Sequence, residues 1–142
     1  MPTLTAAYPE RTEAVEVRQT HISVVFLAGS HAYKIKKPLN LGFLDFSSLD
    51  KRLRACRDEV QLNRRLAPAI YLDVVPITGT PAAPRINGSG ATFEYAVKMR
   101  QFPVDATLDR LDAAGGLTAH HVEAIAATLA RFHVEGCARA AP

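Results

Sequence analysis

Three short runs near the amino terminus constrain the fold most, because each has the pattern of a β-strand. AVEVRQTH, from Ala14, alternates two valines with Glu16 and Arg18, as a half-buried strand does. SVVFLAG is β-branched and aromatic, which favours a more buried strand, and AYKIKKP reads as a third strand that ends at Pro38. Since the links are short, and one of them is the turn Gly29–Ser30, the runs predict an antiparallel meander.

The segment after Pro38 predicts one helix and two further strands. Ser47 or Ser48 is a natural helix N-cap, and Pro68 stops a helix that runs to about Ala67. IYLDVVPIT and TFEYAVKMRQF predict the fourth and fifth strands, while residues 79–91 are rich in Pro, Gly and Ser and predict a loop. The inward stripe of the helix recurs at spacings of four and three: Leu49, Leu53, Cys56, Val60, Asn63 and Ala67.

Beyond Pro103 the pattern becomes helical. DATLDRLDAA predicts a short helix that ends at Gly115–Gly116, and Thr118 caps a longer one. One face of the longer helix is apolar and needs a partner, so we expect self-association through residues 118–135. The predicted architecture is α+β: a loose segment 1–13, a lobe 14–103 with a five-stranded antiparallel sheet and one helix, and the start of a helical lobe, 104–142.

Composition excludes several classes of protein. A chain of 142 residues, 48% hydrophobic and 22% charged, can bury one real core. The net charge of +3 permits an anionic partner without demanding one. Cys56 and Cys137 form no CxxC pattern, which argues against a disulfide framework or a structural zinc site. No secretory signal or membrane-length apolar run is present, so we expect a cytoplasmic protein with no membrane partner.

The chemistry of the chain centres on a lysine-rich strand and one glutamate. Ala32, Lys34 and Lys36 share one face of the third strand, where lysines either protect an exposed edge or hold a ligand. Glu59 lies beside the inward stripe of the helix, with no basic residue three or four positions away. It is therefore either a solvated glutamate at the margin or the partner of a cation from another element, for which Lys34 is suitable.

A strand lysine fixed by a helix glutamate is the arrangement of a kinase amino-terminal lobe. The chain resembles the first half of the aminoglycoside-phosphotransferase-like kinases, closest to the bacterial group often fused to a P-loop ATPase-type domain. The resemblance covers about residues 14–134. It rests on the stretches THISVVFLAGSHAYKIKKPLNLGFLDFSSLDKR, CRDEVQLNRRLAPAIYLDVVPI, EYAVKMRQFP and LARFH.

This resemblance implies a nucleotide site that faces the sheet. Ala32-x-Lys34 matches the family's Ala-x-Lys, so Lys34 would hold the phosphates of ATP and Glu59 would fix it, with Lys36 a second, weaker choice. The turn Thr20–Ser23 would lie over the phosphates, although it has no glycine. The remaining nucleotide-binding residues implied are two in that turn, one before the hinge and two in the hinge: His21, Ser23, Met99, Gln101 and Phe102.

The catalytic half of such an enzyme is missing from this sequence. Phosphoryl transfer needs a base-positioning Asp and metal-binding Asn and Asp residues, which in the family follow the LARFH helix, and the sequence stops at Pro142. Asp45-Phe46-Ser47 looks superficially like a metal motif but precedes the helix of Glu59, and we interpret Phe46 as an anchor. We therefore expect no catalytic or metal-binding residue here, with ATP and Mg²⁺ as cofactors of the complete enzyme.

Three functions remain open from the sequence. The first is the nucleotide-binding portion of an ATP-dependent phosphotransferase that acts on a small-molecule hydroxyl compound. The second is a non-catalytic module that binds an anion, a nucleotide or nucleic acid through the KIKK strand and the basic helix LDKRLRACRDEVQLNRRL. Nucleic acid is the less expected partner, because aromatic stacking and recognition motifs are absent. The third is a truncated scaffold remnant.

Overall fold

The chain contains two compact units, residues 1–101 and 102–142. The computed structural model describes residues 5–9 and 12–140. The boundary that we predicted from sequence lies two residues further along the chain. Within the described residues the first unit holds one long helix, α1 (Leu49–Asn63), and six strands. The strands are β1 (Val15–Gln19), β2 (Ser23–Ala28), β3 (His31–Lys36), β4 (Tyr71–Thr80), β5 (Ala83–Ile86) and β6 (Thr92–Arg100).

The strands form a single antiparallel sheet in the order β1-β2-β3-β6-β4-β5. The α+β class and the meander β1-β2-β3 are confirmed, but the count of five strands was wrong. Residues 79–91 are not only a loop, because Ala83–Ile86 pairs with the end of β4. Pro84 is tolerated there since β5 is an edge strand, where one backbone N–H is not needed for pairing.

The two faces of the sheet carry separate apolar clusters. The face away from α1 is built around Phe26, Tyr33 and Ile77, each almost fully buried. Ala7 and Tyr8 join this cluster, and the rings of Tyr8 and Tyr33 lie 5.1 Å apart. The prediction that residues 1–13 are loose was therefore wrong for this part of the segment. Burying a tyrosine ring removes a large apolar surface from water, which favours packing of the segment against the sheet.

Helix α1 begins where its cap predicts. The Ser48 hydroxyl accepts a hydrogen bond from the Lys51 backbone N–H, and Asp50 lies in the first turn. The helix ends at Asn63, four residues before the predicted Ala67. The chain then continues in tighter turns, in which the Leu66 N–H donates to Asn63 O, three residues earlier rather than four.

The buried side of α1 consists of Arg52, Cys56 and Val60. Cys56 and Val60 pack against Val97 of β6, on the second face of the sheet. Burial raises the pKa of the Cys56 thiol to about 11, as befits the small core residue that the sequence predicted. Of the other predicted stripe residues, Asn63 is exposed, so the stripe ends a turn early.

The second unit contains α2 (Leu108–Ala113) and α3 (Ala119–Ala140). Gly115, with φ +67°, follows α2 in the left-handed conformation that glycine adopts without strain. The Nδ1 atom of His121 accepts a hydrogen bond from the Thr118 N–H, which satisfies a backbone donor at the start of α3. Among the described residues, no helix has both the length and the apolarity needed to cross a membrane.

Self-association through residues 118–135 stays a prediction. The exposed apolar side chains of α3 identify the residues that would form the contact. Val122, Ile125 and Leu129 are 56%, 39% and 44% exposed. We expect light scattering to show a mass that rises with protein concentration, and Ile125→Lys to lower it because a charge resists burial. Glu123→Lys is the control on the same helix. A monomeric mass at high concentration would argue against the prediction.

Candidate functional site

Two strand lysines bond a single helix glutamate. Lys34 Nζ lies 2.9 Å from Glu59 Oε1, and Lys36 Nζ lies 2.6 Å from Glu59 Oε2. The sequence left open whether Glu59 is solvated or paired across elements, and the structure shows that it is paired. We call Lys34, Lys36 and Glu59 the lysine–glutamate cluster.

Packing of α1 on the sheet sets the position of this cluster. Lys34 lies opposite Val97 on β6, and paired residues of an antiparallel sheet share a face. Val97 is also the residue against which Cys56 and Val60 of α1 are buried. Glu59 precedes Val60 on the helix, so the apolar contact brings its carboxylate over the strand that carries the lysines.

The two lysines differ in exposure, which separates their roles. The Lys36 side chain is 6% exposed and its ammonium lies 5.0 Å from the ring centre of Phe46, whereas the Lys34 side chain is 28% exposed. Phe46 is itself buried, as expected of an anchor. Lys36, which the sequence ranked second, is thus the more enclosed partner of Glu59, and Lys34 is the lysine that solvent and ligands can reach.

The electrostatics of the cluster favour an anion. Burial by itself would raise the pKa of Glu59, but hydrogen bonds and charge from Lys36 and Lys34 outweigh burial and hold its pKa below the usual range. Glu59 is therefore ionised at neutral pH. Two ammonium groups then face one carboxylate, and the cluster carries one uncompensated positive charge.

An apolar surface lies beside Lys34 on the same face of the sheet. The strand register places Ala32 between Leu27 of β2 and Met99 of β6, and Val25 opposite Lys34. The structure therefore brings together three of the predicted residues, Ala32, Lys34 and Met99, next to Glu59. A flat apolar group could rest on this surface with its anionic end toward Lys34.

The predicted turn Thr20–Ser23 does connect β1 and β2, but its donors are largely used. The Thr20 hydroxyl accepts hydrogen bonds from the N–H groups of Ile22, at 3.4 Å, and Ser23, at 3.0 Å. These N–H groups therefore already have a partner within the turn, and the role over the phosphates that the resemblance implied stays a prediction. His21 is exposed, and the Ser23 hydroxyl is the one fully buried side-chain polar atom without a hydrogen bond among the described residues.

The predicted hinge residues also have other partners. The Gln101 backbone N–H donates to Ser30 O, and its side-chain amide donates to Gly29 O and His31 O at 3.0 Å. Gln101 thus holds the turn between β2 and β3, and the hinge role that the resemblance implied for it stays a prediction. Phe102 belongs to the second unit, where it is exposed.

A second buried ion pair was missed from the sequence. Arg52 Nε lies 2.9 Å and 3.0 Å from the two carboxylate oxygens of Glu94, and Arg52 Nη1 donates to Phe46 O at 2.9 Å. The pair joins α1, β6 and the loop before the helix. Spacing could have indicated that Arg52 is buried, because it stands four residues before Cys56 and eight before Val60, in line with the buried stripe, but it does not identify Glu94 as the partner.

The described residues hold no cluster of three or more side chains suited to a metal ion. Asp45 accepts hydrogen bonds from the Ser47 N–H and hydroxyl and pairs with Lys51. The Lys51 hydrogen bond, followed by those of Ser47, holds the pKa of Asp45 well below its usual range. Asp45 therefore closes the turn before α1, and Asp45-Phe46-Ser47 is a structural element.

Comparison with known proteins gives relatives without an assigned activity. The chain is 38% identical over 128 residues, or 89% of its length, to uncharacterized proteins of Mycobacterium bovis and of two strains of Mycobacterium tuberculosis. It spans about a quarter of these relatives, 24% of their length. No protein-family model and no solved structure matches it.

Proposed function

We propose that this chain is the nucleotide-binding portion of an ATP-dependent phosphotransferase of the aminoglycoside-phosphotransferase-like kind. The observation that carries the proposal is Glu59 holding Lys34 beside the apolar surface of Ala32 and Met99. In kinase-like enzymes a strand lysine contacts the phosphates of ATP and a helix glutamate fixes that lysine. The uncompensated charge of the lysine–glutamate cluster supports the same reading, because a nucleotide brings negative charge.

Transfer of the phosphoryl group needs groups beyond this chain. The base-positioning Asp and the ligands for Mg²⁺ would come from the rest of a longer protein, as would the site for the small-molecule hydroxyl acceptor. This portion would supply orientation: the sheet face would receive the base, and Lys34 would receive the phosphates. We therefore expect nucleotide binding without turnover from residues 1–142 alone.

Binding of a fluorescent ATP analogue to Lys34→Ala tests the proposal. We expect the variant to lose about tenfold or more in affinity, because a charge-assisted hydrogen bond to phosphate is removed. Lys51→Ala is the matched control, since Lys51 pairs with Asp45 away from the cluster and its side chain is 48% exposed. Equal affinity of Lys34→Ala and the unmodified chain would contradict the proposal.

An anion- or nucleic-acid-binding module is the second candidate. The outward side of α1 favours it, because Lys51, Arg54 and Arg57 are all exposed there. Binding of nucleic acid should fall steeply with salt and with Arg54→Ala, whereas nucleotide binding at Lys34 should survive Arg54→Ala. A chain that binds neither ligand would agree with the scaffold remnant.

A further inference from the structure

An apolar cavity of about 190 Å³ opens on the face of the sheet opposite α1. Phe26 and Ile35 of β2 and β3 line one side, and Ile77 and Phe93 of β4 and β6 line the other. Protein interiors are normally close-packed, with few voids larger than a water molecule. This cavity lies at the end of an otherwise filled apolar cluster and opens to solvent, so it is accessible to a small ligand.

Local backbone structure keeps the cavity open. The register of β4 and β6 shifts between Ile77 and Thr78, so Phe93 has no partner on β4. An extra residue of this kind bends a strand and redirects its side chain. Pro38 and Pro81 also line the cavity, and their fixed φ angles limit collapse of this end.

The charges around the cavity leave one lysine uncompensated. Lys36 and Glu94 also line it, but their charged groups are paired with Glu59 and Arg52. Lys37 is half-buried, its ammonium donates to Thr20 O at 2.8 Å, and none of the ion pairs among the described residues includes it. The lining therefore combines an apolar interior with a single available cation.

We propose that this cavity binds a small carboxylate with an apolar body, such as an aromatic ring or a short alkyl chain. Enclosed apolar cavities of similar size accept molecules the size of benzene, so the volume here suits one small apolar group. Small-molecule sites typically combine an apolar lining with a few polar groups that fix orientation. The body would fill the space between Ile35 and Phe93, and the carboxylate would pair with Lys37. The proposal rests on Lys37 and the apolar lining, not on Lys34, and does not depend on the proposed nucleotide site.

Calorimetric titration of the full chain with benzoate and hexanoate tests the ligand class, with benzyl alcohol and hexan-1-ol as neutral counterparts. We expect saturable binding of the carboxylates and about fivefold weaker binding of the alcohols, the usual scale of a partly exposed ion pair. Lys37→Met should lower the affinity for the carboxylates to that for the alcohols, and the control Lys98→Met should leave it unchanged. Equal binding of acid and alcohol by the unmodified chain would overturn the assignment of a carboxylate.

Filling the cavity tests its location. Val24 lines it, so Val24→Phe should abolish saturable binding, while Val17→Phe on β1, outside the lining, should leave binding unchanged. Circular dichroism establishes that each variant is folded. If Val24→Phe does not fold, the smaller substitution Val24→Leu is used instead, and we expect it to bind the carboxylates with measurably lower affinity. The proposal fails if the unmodified chain shows no saturable binding, or if the folded Val24 variants bind as it does.

Discussion

Arg52→Met is expected to lower the free energy of unfolding by about 3 kcal/mol, because it leaves a buried carboxylate without its partner. The Arg52 and Glu94 side chains are only 10% and 14% exposed, so water replaces little of the lost contact. Methionine keeps most of the side-chain volume, which restricts the change to charge and hydrogen bonding. Urea unfolding at pH 7 measures the effect, and Arg54→Met, on the exposed side of the same helix, should shift it by less than about 0.5 kcal/mol.

The double variant Arg52→Met/Glu94→Met separates the ion pair from the packing of α1. Replacing both members of a buried pair by apolar residues is often close to neutral. We therefore expect the double variant to regain most of the stability lost by the single one. A double variant that is less stable than Arg52→Met would show that burial of a lone carboxylate is not the cause.

Glu59→Gln should also lower the free energy of unfolding by about 3 kcal/mol at pH 7, because two lysines lose the carboxylate between them. This difference should shrink in acid. The lowered pKa of Glu59 means that its contribution is complete above the ordinary pKa of a glutamate, about 4.3, and is lost as the pH falls through the folded-state value. At low pH the protonated glutamate and glutamine become equivalent.

Urea unfolding of both proteins between pH 7 and pH 3 checks this expectation. Asp58→Asn is the matched control, since Asp58 is the adjacent residue and is exposed. Its effect should stay within about 0.5 kcal/mol throughout the range. A difference between Glu59→Gln and the unmodified chain that stays constant with pH would show that the carboxylate does not stabilise the fold through its charge.

Elements that depend on local signals were predictable from the sequence. Ser48 caps α1 as its side chain and position suggest, and the alternation of Val15 and Val17 with polar residues marks β1. In both cases the deciding interaction lies within a few residues. The end of α1 was placed too late because Pro68 sets only an outer limit, while the last turns had already tightened.

Contacts between distant residues were not predictable in the same way. Arg52 and Glu94 are 42 positions apart, and nothing local to either residue specifies the other. Strand β5 forms because β4 offers it an edge, and Tyr8 is buried because Tyr33 offers it a surface. Partners of this kind follow from the assembled sheet. For the same reason the sequence did not show that the backbone N–H groups of Ile22, Ser23 and Gln101 have partners within the fold.

The candidate site lies between these two cases. The lack of a local cation near Glu59 left two possibilities, a solvated glutamate or a partner on another element, and the structure shows the second. Alternation along β3 limited the choice of partner to lysines on one face. The resemblance ranked Lys34 above Lys36, but the sequence could not show which lysine is the more buried, because that depends on where Phe46 lies.

The lysine–glutamate cluster also favours the native register of β3 in the sheet. A strand that slips by one residue turns every side chain to the opposite face of its sheet. In a slipped β3 both ammonium groups would enter the apolar cluster around Phe26, and Tyr33 would face Glu59. Such a misaligned sheet would bury two unpaired lysines and an unpaired glutamate. This cost favours the native register over registers that are shifted by one residue.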